Sequence, residues 1–124
     1  MNVASRRYAS AVVLQLSGRL DQDTCERFCA ELMREVESAV KRQGGMVLDL
    51  AAMEYVSSAG LRCFMLASRQ AKAHQFRISV AALQPMVREI FHISHFNLVF
   101  QVFPTVHEAL EAVSSDAAAA YEKG

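Results

Sequence analysis

The chain has 124 residues, of which 52% are hydrophobic and 21% charged; this length suits one domain, and the composition excludes intrinsic disorder and collagen-like or low-complexity chains. A chain of this length buries roughly two thirds of its unfolded surface, so folding needs no disulfide or metal staple. Thirteen Lys+Arg balance thirteen Asp+Glu, which excludes an overall field that would hold the chain on nucleic acid or on an anionic membrane.

The first elements in chain order are two strands. Val12, Leu14 and Leu16 share one face of a strand ending at Ser17-Gly18. A preceding strand near Val3–Tyr8 pairs with it as a hairpin through Ala9-Ser10, and Arg6-Arg7 make it an edge strand. From Asp23 the period changes to helical, with Asp23 as N-cap, Glu26 as its capping-box partner, and Cys25, Phe28, Cys29, Leu32, Val36 and Val40 on the apolar face. Gly44-Gly45 ends this helix.

Met46–Leu50 is short and almost wholly apolar, as in a central strand covered by helices on both faces. An irregular stretch follows, then Ser57-Ser58 opens a helix with Leu61, Phe64, Met65, Ser68 and Ala71 along its stripe. Phe76–Ala82 alternates as a strand, and Pro85 starts a helix carrying Val87, Ile90 and Phe91. Val99–Phe103 is the last strand, cut off by Pro104. Thr105 and Glu108 then form a capping box for a helix with Val106, Ala109, Leu110 and Val113 inward. The order ββαβαβαβα predicts an α/β domain with a mixed central sheet of four to five strands and about four helices. Residues 1–124 are one domain with a core of about 12–113, and 114–124 extend the last helix or fray.

Cys25, Cys29 and Cys63 lack the paired short spacings of a zinc site and are expected to be buried free thiols in a reducing compartment. No apolar stretch approaches the roughly 18 to 20 residues of a membrane span, and the run after Arg6-Arg7 is too short and interrupted for a signal peptide, so the expected location is the cytoplasm. The glycines are too scattered to cradle a nucleotide. His92 and His95 are spaced i,i+3 without a third ligand nearby, while His74 and His107 are read as solvated side chains in turns. No nucleophile, base and oxyanion donors converge in the sequence, so no catalytic residue, metal, cofactor or small-molecule substrate is expected. Cys63 has no cationic or histidine partner to activate it and is read as packing.

What remains is Tyr55-Val56-Ser57-Ser58-Ala59-Gly60-Leu61, between a buried strand and an amphipathic helix. Serine is a preferred helix cap, so the segment reads as an ordinary helix start. The alternative is a hydroxyl presented at a helix N-terminus, where free N–H groups and the dipole receive a phosphate carrying about −1.5 to −2 charges.

Gly18-Arg19-Leu20-Asp21, Val47-Leu48-Asp49-Leu50, Ser57-Ser58-Ala59-Gly60-Leu61-Arg62 and Val102-Phe103-Pro104 with Glu108-Ala109-Leu110 follow in register the signature blocks of STAS domains. The chain resembles most the stand-alone bacterial anti-sigma factor antagonists, over roughly residues 12 to 113. The resemblance implies a phosphorylation site at Ser58 and a partner-binding surface of Asp21, Ser57, Ser58, Ala59, Gly60, Leu61 and Arg62. Ser57 stands where the family most often has Asp, and Ala59 where it has Ser or Thr. The implied protein is a non-catalytic switch: unphosphorylated, it binds a GHKL-type serine-kinase anti-sigma factor; phosphorylated on Ser58, it is released; a metal-dependent serine phosphatase resets it. The alternative implied by similar domains is an accessory subunit of a lipid-transport ABC system, binding the ATPase without phosphorylation.

Overall fold

The computed structural model describes residues 2–42 and 44–123. Five strands, β1 (Asn2–Tyr8), β2 (Ala11–Leu20), β3 (Met46–Val56), β4 (Ile78–Ala81) and β5 (Gln101–Phe103), form one sheet in the order β1-β2-β3-β4-β5. β1 and β2 are the expected antiparallel hairpin, with Tyr8 opposite Ala11 and Ala9 at φ 56° in the turn. Every later neighbour is parallel, so each connection after β2 carries a helix, as parallel crossovers require.

These helices are α1 (Cys25–Arg42), α2 (Ser58–Ala73), α3 (Pro85–Ile93), α4 (Val106–Val113) and α5 (Ser115–Glu122), with a 3-10 turn at Phe96–Leu98. The order ββαβαβαβα holds, and residues after Ser114 form a separate helix beyond the four expected. Ser114 makes it separate: its backbone is extended at φ −166° and ψ 147°, and its hydroxyl accepts from the Ala117 N–H. None of the helices is long and apolar enough to cross a membrane, among the described residues.

The sheet has a core on each face. On one, Leu14, Leu16 and Leu48 meet Phe28, Leu32 and Phe64 of α1 and α2 and Phe91 of α3. On the other, Ala11, Val13, Val47 and Ala81 meet Val106 and Leu110 of α4 and Ala117 of α5. Alternate residues of β2 and β3 thus go to opposite cores, which is why Met46–Leu50 reads as a continuous apolar run.

The structure corrects several boundaries. β3 does not end at Leu50; it runs on to Val56 beside β2, with register shifts between Gln15 and Ser17 and between Gly18 and Arg19. At each shift β3 holds one more residue than β2, and these bulges break the alternation expected of a strand. β4 starts at Ile78 rather than Phe76, because Gln75, at φ 53°, and Phe76 complete the turn out of α2. β5 starts at Gln101 rather than Val99, because His95, at φ 62°, leads into the 3-10 turn. Asp23 does not cap α1: the Asp21 carboxylate accepts from the N–H groups of Asp23 (3.0 Å) and Thr24 (3.2 Å). His107 lies half-buried in the first turn of α4, where its Nε2 meets Glu122 of α5 at 2.7 Å.

Candidate functional site

The site is built where β2 and β3 end side by side. Both strands continue past the end of β4, whose pairing with β3 stops at Asp49 opposite Ala81, so their tips stand clear at the carboxyl end of the sheet. The Ser57 N–H donates to the Leu20 carbonyl at 2.8 Å, tying the tips together. Asp21 follows one end of that bond and Ser58 the other.

On the β2 side, the Asp21 carboxylate is committed to the turn into α1, accepting also from the Thr24 hydroxyl at 3.3 Å. That hydroxyl lies 3.1 Å from the Arg19 carbonyl, which fixes Asp21 as a half-buried, positioned acid. On the β3 side, Ser57 is the N-cap of α2: its hydroxyl accepts from the Gly60 N–H at 3.2 Å and its carbonyl from the Leu61 N–H at 2.9 Å. Aspartate and serine are matched as caps, so Ser57 in place of the usual Asp preserves this bond.

Ser58 is therefore the first residue of α2 rather than its cap. It is exposed, and among the described residues no hydrogen bond engages its hydroxyl. The N–H groups of Ser58 and Ala59 have no carbonyl one turn back to receive them, so the helix offers two donors and the positive end of its dipole beside that hydroxyl. Gly60 is buried, and a Cβ there would lie 2.7 Å from Leu20 Cγ and 2.9 Å from Val56 Cγ2. The absence of a side chain lets the first turn of α2 lie directly on the strand tips. Leu61 is 9% exposed and points into the core, whereas Arg62 is exposed. Of the expected surface, Ser58 and Arg62 face solvent, Asp21, Ser57 and Ala59 are half-buried, and Gly60 and Leu61 act from beneath.

One neighbouring feature escaped the sequence reading. Arg19 of β2 and Tyr55 of β3 are register partners, and the guanidinium sits 4.6 Å from the ring centroid, a cation–π contact on the outside of the strand tips. Its signal was present in the Gly18-Arg19-Leu20-Asp21 block, but the pairing shows only once β3 extends to Val56.

The three thiols also meet here. Cys63 is buried, its sulfur 3.5 Å from the Cys25 carbonyl, while Cys25 and Cys29 are only half-buried, contrary to the expectation that all three lie inside. Burial, and then hydrogen bonding to Cys29, push the Cys63 thiol up to about 12, away from the thiolate that reactive cysteines need. No group of three or more His, Cys, Asp or Glu positioned to hold a metal is found among the described residues.

The open carboxyl end of the mixed sheet thus sets the exposed Ser58 hydroxyl at a helix start and the positioned Asp21 carboxylate on the two strand tips joined by the Leu20–Ser57 bond. The family model described as "Mlab, STAS domain" matches residues 3–102, and the chain belongs to the STAS domain family. BtrV of Bordetella bronchiseptica, which bears the name of an anti-sigma factor antagonist, is 33% identical over 102 residues, 82% of this chain and 85% of that protein. An anti-sigma factor antagonist from Mycobacterium paratuberculosis shares the fold at a TM-score of 0.80, with 23% identity over 90% of this chain and 92% of that one. SpoIIAA of Bacillus, solved in its phosphorylated form, superposes at a TM-score of 0.68, with 18% identity over 90% and 99% of the two chains.

Proposed function

We propose that this chain is an anti-sigma factor antagonist that works by phosphorylation-controlled partner switching. Unphosphorylated, it binds a GHKL-type serine-kinase anti-sigma factor through Ser58, Arg62 and the Asp21 turn, with Ser57, Ala59, Gly60 and Leu61 shaping the surface. The kinase phosphorylates Ser58 and releases it, and a metal-dependent serine phosphatase restores the binding form. The nucleotide and metal belong to those partners, and the chain works in the cytoplasm as a binding regulator rather than an enzyme. The observation that carries this reading is the division of labour between the two serines: Ser57 spends its hydroxyl on the Gly60 N–H, leaving Ser58 exposed at the start of a 16-residue helix.

The energetics favour interface loss over unfolding. A phosphate at the α2 N-terminus gains about 0.3 to 1 kcal/mol from the dipole. Pressed against an acidic partner the same dianion meets repulsion and desolvation, and each 1.4 kcal/mol of penalty costs tenfold in affinity.

The departures from the family's usual pattern at Ser57 and Ala59 favour a second reading, an accessory subunit binding the ATPase of a lipid-transport ABC system without phosphorylation. Affinity capture from the native lysate with wild-type, Ser58→Ala and Ser58→Glu baits separates the two. A GHKL-type kinase held by wild type and Ser58→Ala but lost with Ser58→Glu, together with phosphate on Ser58, supports the switch. A transporter ATPase held equally by all three baits overturns it in favour of the accessory subunit.

A further inference from the structure

At the opposite end of α2 from Ser58 lies an open groove of about 660 Å³, between the second half of the helix and the segment leading into β5, within the roughly 300 to 1,000 Å³ typical of small-molecule sites. One wall is a single helix face, Met65, Ser68, Arg69 and Lys72; the other is Leu98 to Gln101. Leu98 is 79% exposed and Val99 39%, a cost in water that an apolar ligand would remove. Ile78 and Phe76 form the floor.

The charge around this apolar trough is one-sided. Arg69, Lys72 and Arg77 line it, with no acidic side chain among its described lining residues. One guanidinium nitrogen of Arg77 donates to the Ala112 carbonyl of α4 at 2.7 Å, which commits that cation to the other face of the sheet and leaves Arg69 and Lys72 as the groove's free charges. Arg69 and Lys72 are exposed on the adjacent turn of α2. These two positive charges outweigh the about −0.5 charge at the C-terminal end of a helix. A second copy of the chain is a poor occupant, because a two-fold contact through this groove would set Arg69 and Lys72 against themselves.

We propose that the groove between α2 and β5 binds a small amphiphilic anion, a carboxylate or phosphate carried on a single apolar chain. The chain lies along Met65, Leu98 and Val99 over Ile78, and the anionic group is held by Arg69 and Lys72. The site is independent of Ser58 and of the partner that reads it.

The test is titration of the full chain with monomeric dodecanoate, kept below its micelle-forming concentration, followed by calorimetry and backbone amide shifts. Inorganic phosphate and dodecyltrimethylammonium supply the head charge alone and the same chain with opposite charge. Dodecanoate is expected to move the amides of Ser68, Arg69, Lys72 and Leu98 to Gln101, and to bind at least about tenfold more tightly than either control. Arg69→Glu with Lys72→Glu, and separately Leu98→Gln, are each expected to weaken it about tenfold or more, with the melting temperature unchanged because these side chains are exposed. Equal binding of the cationic chain, binding that neither variant alters, no binding at all, or binding only to phosphatidylglycerol vesicles would each overturn the site.

Discussion

At Gly60 the constraint is space. A Cβ would press on Leu20 Cγ at 2.7 Å and Val56 Cγ2 at 2.9 Å, and Leu20 is fully buried with nowhere to retreat. Gly60→Ala is expected to cost about 1 to 3 kcal/mol, the usual range for overpacking, read as a lower denaturant midpoint. Combined with Leu20→Ala it should cost less than the sum of the two, because the second change removes the atoms the first one strikes; strict additivity would show that the two residues do not meet. Cys63 makes a different prediction. Its folded thiol is raised from 9.0 to about 12 by burial and by Cys29, so between those values the unfolded chain gives up a proton that the folded chain keeps. Its contribution to stability is complete below pH 9 and is lost as pH rises toward 12. Urea titrations across that window should show a steeper alkaline loss for wild type than for Cys63→Ala, and equal slopes would remove the claim.

Among the elements, those whose local chemistry agreed with their packing were legible in the sequence. Thr105 accepts from the Glu108 N–H at 3.1 Å as the capping box implied, and Pro85 begins α3. The misses have physical causes. The end of β3 was hidden because bulges put Ala51 and Ala52 outward in succession, and Asp23 was favoured over Asp21 because a carboxylate capping through a turn lies outside the helical period. Of the expected α2 stripe, Leu61, Phe64 and Ala71 are buried, but Cys63 and Ala67 complete it, whereas Met65 and Ser68 sit at its margin and line the groove. At the site, the serine pair and the glycine could be located from sequence, but not which serine caps. The Ala-rich tail was ambiguous because alanine favours helix whether packed or not. The structure settles it: Ala117 is fully buried beside Ala11 and Val13, and the Tyr121 ring meets Tyr8 edge-on at 5.1 Å. Ala117→Asp, which buries a carboxylate against this face, is therefore expected to detach α5 or cost about 2 kcal/mol or more. Hydrogen exchange should show lost protection confined to α5 and β1, and an unchanged pattern would mean that α5 is not docked.

For the whole molecule, the two cores separate α4 and α5 from the two helices that carry the proposed switch. α4 and α5 close one face of the sheet away from the strand tips, while α1 and α2 both spring from those tips, at Asp21 and Ser57. A modification at Ser58 therefore acts on exposed structure already held by the Ser57 cap, the Leu20–Ser57 bond and the Gly60 contact, and the buried side of α2, with Phe64 between Phe28 and Phe91, does not sense it directly. The proposed phosphate should then leave the fold intact and slightly stabilised. Its dipole gain of about 0.3 to 1 kcal/mol corresponds to a rise of at most a few degrees in melting temperature. Because that gain is electrostatic and exposed, it should shrink between low and molar salt, where the Debye length falls to about 3 Å. Scanning calorimetry of the phosphorylated and unphosphorylated chains at both salt concentrations checks this, and the affinity for the kinase should fall on phosphorylation in the same samples. A melting temperature that dropped on phosphorylation and stayed low in salt would mean that the phosphate strains α2 itself, and release would then proceed by loosening the fold instead of by charge at the interface.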